Sequence, residues 1–440
     1  TNLWLSRAGT QGDLKAVKQA FSVHVKRGEE HFVAGSFAEA WSEVERARAL
    51  PGYERAPETL ALVSRLLPKL HKVRLLSVHE TRAFKDTTLA GHKMMDISVL
   101  SSQPLRLVTA SVNVLRIWNA EAGSCVQALQ GHVHPISHIS HTGTREFEAA
   151  RSNPMVSFAT NGSIRVWDLR QGECCRYFKL VPQPFSDMLE ERKARRFAWN
   201  SQKDWALLLT DNSELHLLNC EQQQAVIVKT IRGISDFRIG QDWSSVILSK
   251  ESDRPLLELF DANRQTSSDK VFATLLLPQA KDSKFVVTQM GPSPSQPYCL
   301  IATQETNGAD VQVRLKLVHL KERRSLHDFA LGQAGRDTIL QICWTQDSMY
   351  FACAHISGRI TIWSLHERET PLWELTGPWG RVHRCLFDSD GRYLVSLGSD
   401  MVVRVFELDW SLSANVKPVP PGELFVEKKQ GFLSRLFGRK

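Results

Sequence analysis

The sequence predicts a mainly β chain of repeated short strands behind a small helical segment. Three observations carry this. Residues 1–70 space their apolar side chains at three and four. From about Val73 to Leu408 the apolar period drops to two, in short runs bounded by Gly, Asn, Asp and Pro. Within that stretch one pattern recurs: a strand, a tight turn, a strand ending in Trp, a polar turn with Gly, and another strand. The chain has 440 residues, 42% hydrophobic and 23% charged, which is the composition of a globular protein with room for a large core.

The helical elements come first. "QGDLKAVKQAFSVHVKRGEEHFVAG" sets Leu14, Val17, Phe21 and Val25 on one helix face. Gly35 interrupts it and Ser36 is expected to cap the next helix. "SFAEAWSEVERARAL" carries a stripe of Phe37, Ala40, Trp41, Val44 and Ala47, and Pro51-Gly52 ends it. "APETLALVSRLLPKL" reads as a third, shorter helix. Small alanines in the stripe permit close helix approach. The segment resembles a degenerate tetratricopeptide hairpin, best in "AGSFAEAW", and one hairpin must bury its face on something else.

The strands follow in repeats. "VTASVNVLRIWNAEAGSCVQALQGH" and "FATNGSIRVWDLRQGECCRYF" match closely, and "FACAHISGRITIWSLHERETPLWEL" and "LVSLGSDMVVRVFELDW" repeat the unit. Its anchors are Trp118, Trp167, Trp363 and Phe406. Weaker copies are "FAWNSQKDWALLLTDNSELHLLN", "FRIGQDWSSVILSKESDRPLLELFD" and "VVTQMGPSPSQPYCLIATQETNGADVQVRLKLVHL", the last with an expanded loop.

These units resemble the WD-repeat family. The residues that carry the resemblance are "AGH" at 90–92, "QGH" at 130–132, "IWN" at 117–119, "VWD" at 166–168 and "FDSDGRYLVSLGSDMVVRVFEL" at 387–408. Units recur about every 40–50 residues. The resemblance implies a seven-bladed β-propeller of four-stranded blades over 71–412, after a helical segment at 1–70 and before a Pro-rich linker and basic tail at 413–440. The last unit, near 383–408, supplies only three strands, so "KVRLLSVHETRAF" at 72–84 is expected to be its outer strand and to cover an open edge. The combination is similar to bacterial WD-repeat proteins, which carry a phrase like "RARALPGYERAPETLAL" before the propeller and "LDW" at its end.

"GHVHPISHISH" at 131–141 holds His132, His134, His138 and His141 and raises the question of a metal. The resemblance gives His132 a structural role instead. The family's His joins a buried network with Asp, Ser or Thr, and Trp, which pairs His92 with Trp118 and His132 with Trp167. Asn113 and Asn161 stand where the family has Asp, which is expected to weaken the network. Asp400 is retained in the last unit, but Pro378 replaces its His, so no unit is expected to be complete. His138 and His141 are expected on opposite strand faces, with His134 in a loop, and four such residues do not converge on one ion. No metal or cofactor is expected.

Catalytic motifs are absent: no G-x-x-x-x-G-K-[ST], G-x-G-x-x-G or G-x-S-x-G occurs. "GPSPS" at 291–295 reads as a loop, and "NGAD" at 307–310 and "DSDG" at 388–391 as turns. The chain is therefore expected not to be an enzyme. The net charge of +8 is concentrated: the last 14 residues hold five positive and one negative, leaving +4 for the rest, so no nucleic acid is expected as partner. The basic runs "EERKARRF" at 190–197 and "KERR" at 321–324 read as solvated loops. In the tail, Phe432, Leu433, Leu436 and Phe437 share one helical face among Arg435, Arg439 and Lys440, so residues 431–440 are a candidate for weak membrane or partner-groove contact. The eight cysteines form no C-x-x-C pair and fit reduced thiols in the cytoplasm. No signal peptide or spanning segment is seen.

The resemblance implies an interaction platform for other proteins. In the family, the loops leading into the innermost strands gather on one face, which places Lys93 and Met94, His134, and Trp379 and Arg381 there. An exposed Trp beside Arg has the composition of an interaction hot spot, and the other reading is that Trp379 covers the channel rim as packing. On the first, Trp379→Ala weakens partner capture and leaves the melting temperature nearly unchanged; on the second, the melting temperature drops sharply. The alternative is a sensor or regulatory region of a larger bacterial signalling protein, a kinase or NTPase, whose catalytic part lies upstream of Thr1.

Overall fold

The computed structural model of the protein describes residues 11–86, 94–141, 154–181, 194–200, 204–239, 246–250, 256–260, 273–276, 284–307, 310–331, 337–377 and 379–415. They divide into two compact units, one within Thr1–His79 and Leu408–Pro420, the other within Glu80–Glu407.

The smaller unit holds α1 (Gln11–Val33), α2 (Phe37–Arg48) and α3 (Pro57–Leu66). Ala40, Trp41, Val44 and Ala47 of α2 are buried, as their spacing predicts. Phe21 packs with Ala47 and Ala56 and stacks on Tyr53 at 4.1 Å. Two expectations fail locally. Leu14 lies a turn ahead of the packed part of α1 and is 47% exposed. Ser36 occupies the N-cap of α2, but its side chain makes no capping hydrogen bond. The helices are instead tied by ion pairs. Glu43, 5% exposed, accepts from Arg46 at 2.5 Å and pairs with His24 at 2.7 Å, and the His24 hydrogen bond holds the Glu43 carboxyl below its usual range. Arg65 of α3 bridges both carboxylate oxygens of Glu29 on α1.

The strands run in chain order from β1 (His71–Lys85). The next four are β2 (Met94–Ser102), β3 (Leu105–Ser111), β4 (Val114–Asn119) and β5 (Ser124–Gln130), then β6 (Ile136–His141), β7 (Pro154–Ala159), β8 (Ser163–Asp168) and β9 (Glu173–Val181). β10 (Ala194–Asn200), β11 (Trp205–Thr210), β12 (Glu214–Glu221) and β13 (Gln224–Arg232) precede β14 (Ile234–Ile239), β15 (Val246–Lys250), β16 (Leu256–Phe260) and β17 (Ala273–Leu276). β18 (Lys284–Pro292), β19 (Tyr298–Asn307), β20 (Asp310–His319) and β21 (Arg324–Phe329) lead to β22 (Ile339–Trp344), β23 (Tyr350–His355), β24 (Ile360–Ser364) and β25 (Trp373–Leu375). β26 (Val382–Phe387), β27 (Tyr393–Gly398) and β28 (Val402–Ser413) complete the chain.

Among the described residues these strands make five sheets of four strands and one of eight. Within each four-strand set, consecutive strands pair antiparallel, as tight turns dictate. The sheet of β26, β27 and β28 takes β1 as its outer strand, and Thr81 donates to the Val405 carbonyl at 3.2 Å. The eight-stranded sheet arises because the end of β9 pairs parallel with the start of β13, from Lys179↔Gln224 to Val181↔Val226. That pairing covers part of both outer edges. The first strands β2, β6, β10, β14, β18, β22 and β26 touch in that order, and β26 touches β2.

The core lies between neighbouring sheets. Leu105, Leu107 and Trp118 pack against Tyr393, Val395 and Val405, and Val108 and Ile117 against Met155 and Trp167. Phe158 stacks on Phe197 at 4.9 Å, and Phe329 and Leu331 pack on Phe351 and Trp363. Alternation makes this possible, since every second side chain of a strand faces one neighbour and the rest face the other. "GPSPS" begins at the end of β18, and Ser293 and Ser295 both bond Ser348 at 2.7 Å, which fixes the turn. All eight cysteines are free. Five are buried, whereas Cys125 and Cys175, on the outer strands β5 and β9, are exposed. Among the described residues no helix is long and apolar enough to cross a membrane.

Candidate functional site

One face of the larger unit is assembled from two kinds of turn. Among the described residues, the loops leading into β6, β22 and β26 bond hairpin turns between second and third strands. Ile136 N–H donates to Val112 O, Thr160 to Pro135 at 2.9 Å, Ile356 to Thr338 at 2.9 Å, and Ser399 to Arg381 at 2.7 Å. Gly358, at φ +93°, shows how tight this packing is, because a Cβ there would run into the Gly380 carbonyl. Val133 is 84% exposed on this face, beside exposed His134, and Arg381 is exposed too.

Under the face, His132 joins a directed hydrogen-bond chain. Trp167 Nε1 donates to Ser157 Oγ at 2.7 Å, and in the neutral ring His132 Nε2 accepts from the Ser157 hydroxyl, also at 2.7 Å. His132 Nδ1 then donates to Ser163 Oγ at 3.0 Å, and Ser163 donates to Asn161 Oδ1 at 2.8 Å. Every donor finds an acceptor only if the imidazole is neutral. Asn161 suits this, since an amide oxygen ends the chain without a charge. Asn113 plays another part and donates to the His132 carbonyl at 3.0 Å. Trp118 Nε1 donates to Thr109 Oγ1 at 2.9 Å.

A second such chain escapes the repeat pattern. Trp363 Nε1 donates to Thr361 Oγ1 at 2.9 Å, Thr361 bonds His355 Nε2 at 3.1 Å, and His355 Nδ1 faces the Asp337 carbonyl at 3.3 Å. This His ends β23 instead of preceding the first strand, so a search for Gly-His passes over it. The signal was the "AHISGRITIW" spacing, which places His and Trp around one Thr. Asp400 receives Val402 N–H at 3.2 Å and Arg404 at 2.5 Å, and among the described residues no histidine joins these bonds.

These histidines set a pH dependence. Burial holds His132 and His138 at a pKa of about 4, and lowers His355. An unfolded histidine titrates near 6.5. Between those values the unfolded chain binds protons that the folded chain does not, so stability is full above about pH 6.5 and falls as the pH drops toward 4. His132 and His138 each contribute on the order of 3 kcal/mol to that loss once the pH reaches 4, and His355 adds to it in the same direction. The urea midpoint is expected to fall between pH 7.5 and pH 5, less steeply in His132→Gln. A midpoint that ignores pH would contradict the neutral assignment.

Two of the predicted partner residues are not available on the surface. Trp379 is 9% exposed: its indole lies 5.5 Å from the Phe406 ring and under the Arg404 guanidinium at 5.2 Å. The residue points inward because the glycines around it, Gly377 and Gly380, let the loop turn the ring onto β28. Met94 is 4% exposed, packed with Leu107 and Val403 at the start of β2. His134 and Arg381 do stand on the face. Lys93, His92, Pro378 and residues 431–440 lie outside the described residues, as do residues 190–193 of "EERKARRF"; its second half is not a solvated loop but the start of β10, where Arg196 pairs with Asp236. Of the four clustered histidines, His138 is buried and donates to Arg195 O at 3.0 Å, while His132 is committed to its serines. Among the described residues no group of three or more His, Cys, Asp or Glu gathers as a metal site.

The first strands also share a device invisible in the repeat pattern. Each carries a β-bulge near its start, and the residue after it is polar: Asp96, His138, Arg196, Asp236, Gln289, Gln341 and Arg384. These side chains reach the next first strand. Asp96 accepts from Ile139 N–H at 3.1 Å and Gln341 from Cys385 N–H at 2.9 Å. Arg384 donates to Asp96 at 2.8 Å and Arg196 to Asp236 at 2.7 Å, while Arg238, two residues past the bulge of β14, donates to Gln289 at 2.6 Å. Inner edge strands present unpaired backbone groups, and a bulge re-aims the following side chain to satisfy the neighbour's edge.

Comparison with known proteins agrees with this construction. The WD40 family, "WD domain, G-beta repeat", matches residues 123–168 and 369–407. No curated protein matches the chain. Among solved structures, the β-propeller domain of Cps50 (Swd1) from Myceliophteria thermophila is similar at 14% identity and a TM-score of 0.55, over 76% of this chain and 100% of that one. The chain therefore carries WD40 repeats and has the mainly β fold of a WD40 propeller, with a small helical region of three helices at its N-terminal side.

Proposed function

We propose that the chain is a seven-bladed propeller, with a tetratricopeptide-like helical segment, that acts as a non-catalytic platform for protein partners. WD40 propellers are generally protein-interaction scaffolds and usually lack catalysis. The observation that carries the reading to a surface is the exposure of Val133 and His134 before β6 and of Arg381 before β26, on loops that lead into first strands. An 84% exposed valine next to the imidazole of His134 offers apolar contact beside a polar group. The circuit of first strands supports the ring.

A native pull-down of the full chain tests this. One stoichiometric protein partner is expected, and His134→Ala with Arg381→Glu is expected to weaken its capture at least about tenfold. The same double variant should melt within about 1 °C of the parent, since both side chains are exposed. Capture that survives the double variant would move the interface elsewhere.

A further inference from the structure

The bulge residues, with Arg238 two residues past the bulge of β14, leave charge over. Arg196, Arg238 and Arg384 gather about two carboxylates, Asp96 and Asp236, and about His138, which burial keeps neutral. The cluster is therefore one positive charge in excess. Its members feel one another: Arg238 and Arg384 both act on Arg196, and Arg384 and Arg196 both act on His138. Two of the three guanidinium groups are only partly used. Arg384 reaches Asp96 through Nε at 2.8 Å, and Arg196 reaches Asp236 through Nε at 2.7 Å. Among the described residues their terminal amino groups have no hydrogen-bond partner, and the side chains keep 26% and 24% of their surface. Arg238 differs, since its terminal groups are spent on Asp236, Phe237 O and Gln289.

We propose that Arg196 and Arg384 form an oxyanion site at the inner strands, and that a carboxylate or phosphate binds to their free amino groups beside His138. The carboxylates Asp96 and Asp236 act as positioning groups: each holds one guanidinium by Nε and leaves its paired terminal N–H donors for a ligand. Paired donors of this kind match the two oxygens of a carboxylate or phosphate. A neutral His138, on which both arginines act, adds no repelling charge. The ligand then supplies the negative charge that the cluster lacks. The bulges lie just after the loops of the interaction face, so a partner's acidic side chain can be the source, and a free anion is the other source. The acidic-peptide form of the proposal rests on the platform reading, and the free-anion form does not.

Calorimetric titration of the full chain with inorganic phosphate, and separately with a capped hexaglutamate peptide, tests the site. At least one probe is expected to bind saturably. Arg384→Gln is expected to weaken that binding about tenfold or more. Arg195→Gln removes the same charge from an exposed neighbour on the same strand as Arg196, and is expected to leave binding unchanged. Binding of phosphate alone identifies a free anion, and binding of the peptide alone identifies a partner's acidic side chain. If Arg384→Gln does not fold, Arg384→Lys keeps the charge and the Asp96 pair but loses the fork, and is expected to weaken binding measurably at an unchanged melting temperature. No binding of either probe, or an equal loss in Arg195→Gln, overturns the proposal. A pull-down that fails while phosphate binds would remove the platform reading and leave the site standing.

Discussion

Trp379→Ala is expected to cost about 3–5 kcal/mol of folding free energy. The indole is one of the largest side chains on this face and is 9% exposed. Its removal opens a cavity over Phe406 and strips the Arg404 guanidinium of its aromatic cover. Arg404 stays paired with Asp400, so the loss is one of packing and not of charge. Guanidinium unfolding of the full chain should show a lower midpoint at unchanged slope. Any weakening of partner capture in this variant is then read only after correction for the folded fraction. A loss below about 1 kcal/mol would mean that the ring can leave its seat at little cost, and Trp379 would return as a contact residue.

The second large effect lies in the smaller unit. Arg48 of α2 grips Asp409 of β28 with both terminal nitrogens, Nη1 to Oδ1 at 2.9 Å and Nη2 to Oδ2. The side chains are 14% and 6% exposed. Asp409→Ala is expected to destabilise by about 3–5 kcal/mol, because it leaves a guanidinium buried without its counter-charge. Replacing both, Arg48→Leu with Asp409→Leu, should recover most of that loss, since an apolar pair of similar volume escapes the desolvation cost. Thermal unfolding of the two variants separates the outcomes. A single variant that is as stable as the parent would mean that Arg48 swings to water and that the pair contributes nothing.

Much of the fold is legible along the chain. Helix stripes such as Ala40, Trp41, Val44 and Ala47 and strand ends such as "RIWN" and "RVWD" follow from the periods 3.6 and 2, which are properties of the local backbone. Tight turns with Gly and Asn fall between them for the same reason. The weaker copies still read as strands, because Leu, Val and Ile alternate even where Gly-His is missing. The candidate site was less legible. Its members are a residue or two apart from the positions that periodicity predicts, and their partners come from other repeats.

The sequence by itself determined the class of the protein: short antiparallel strands in repeated units behind amphipathic helices, a Trp-bearing third strand in the clearer units, and a histidine suited to a structural network. Those are set by side-chain spacing and turn chemistry. Only the tertiary structure decided the rest. It turned Trp379 inward, because burial depends on what the loop closes upon. It paired Arg48 with Asp409, which are 361 positions apart, and chained His355 through Thr361 to Trp363. It joined β9 to β13, and it aimed Arg196 and Arg384 through bulges that no alternation rule predicts. The physical reason is common to all of these. A single strand specifies which side chains share a face, but the charge, the edge or the cavity that each side chain meets belongs to a neighbour brought up by the folding of the whole chain.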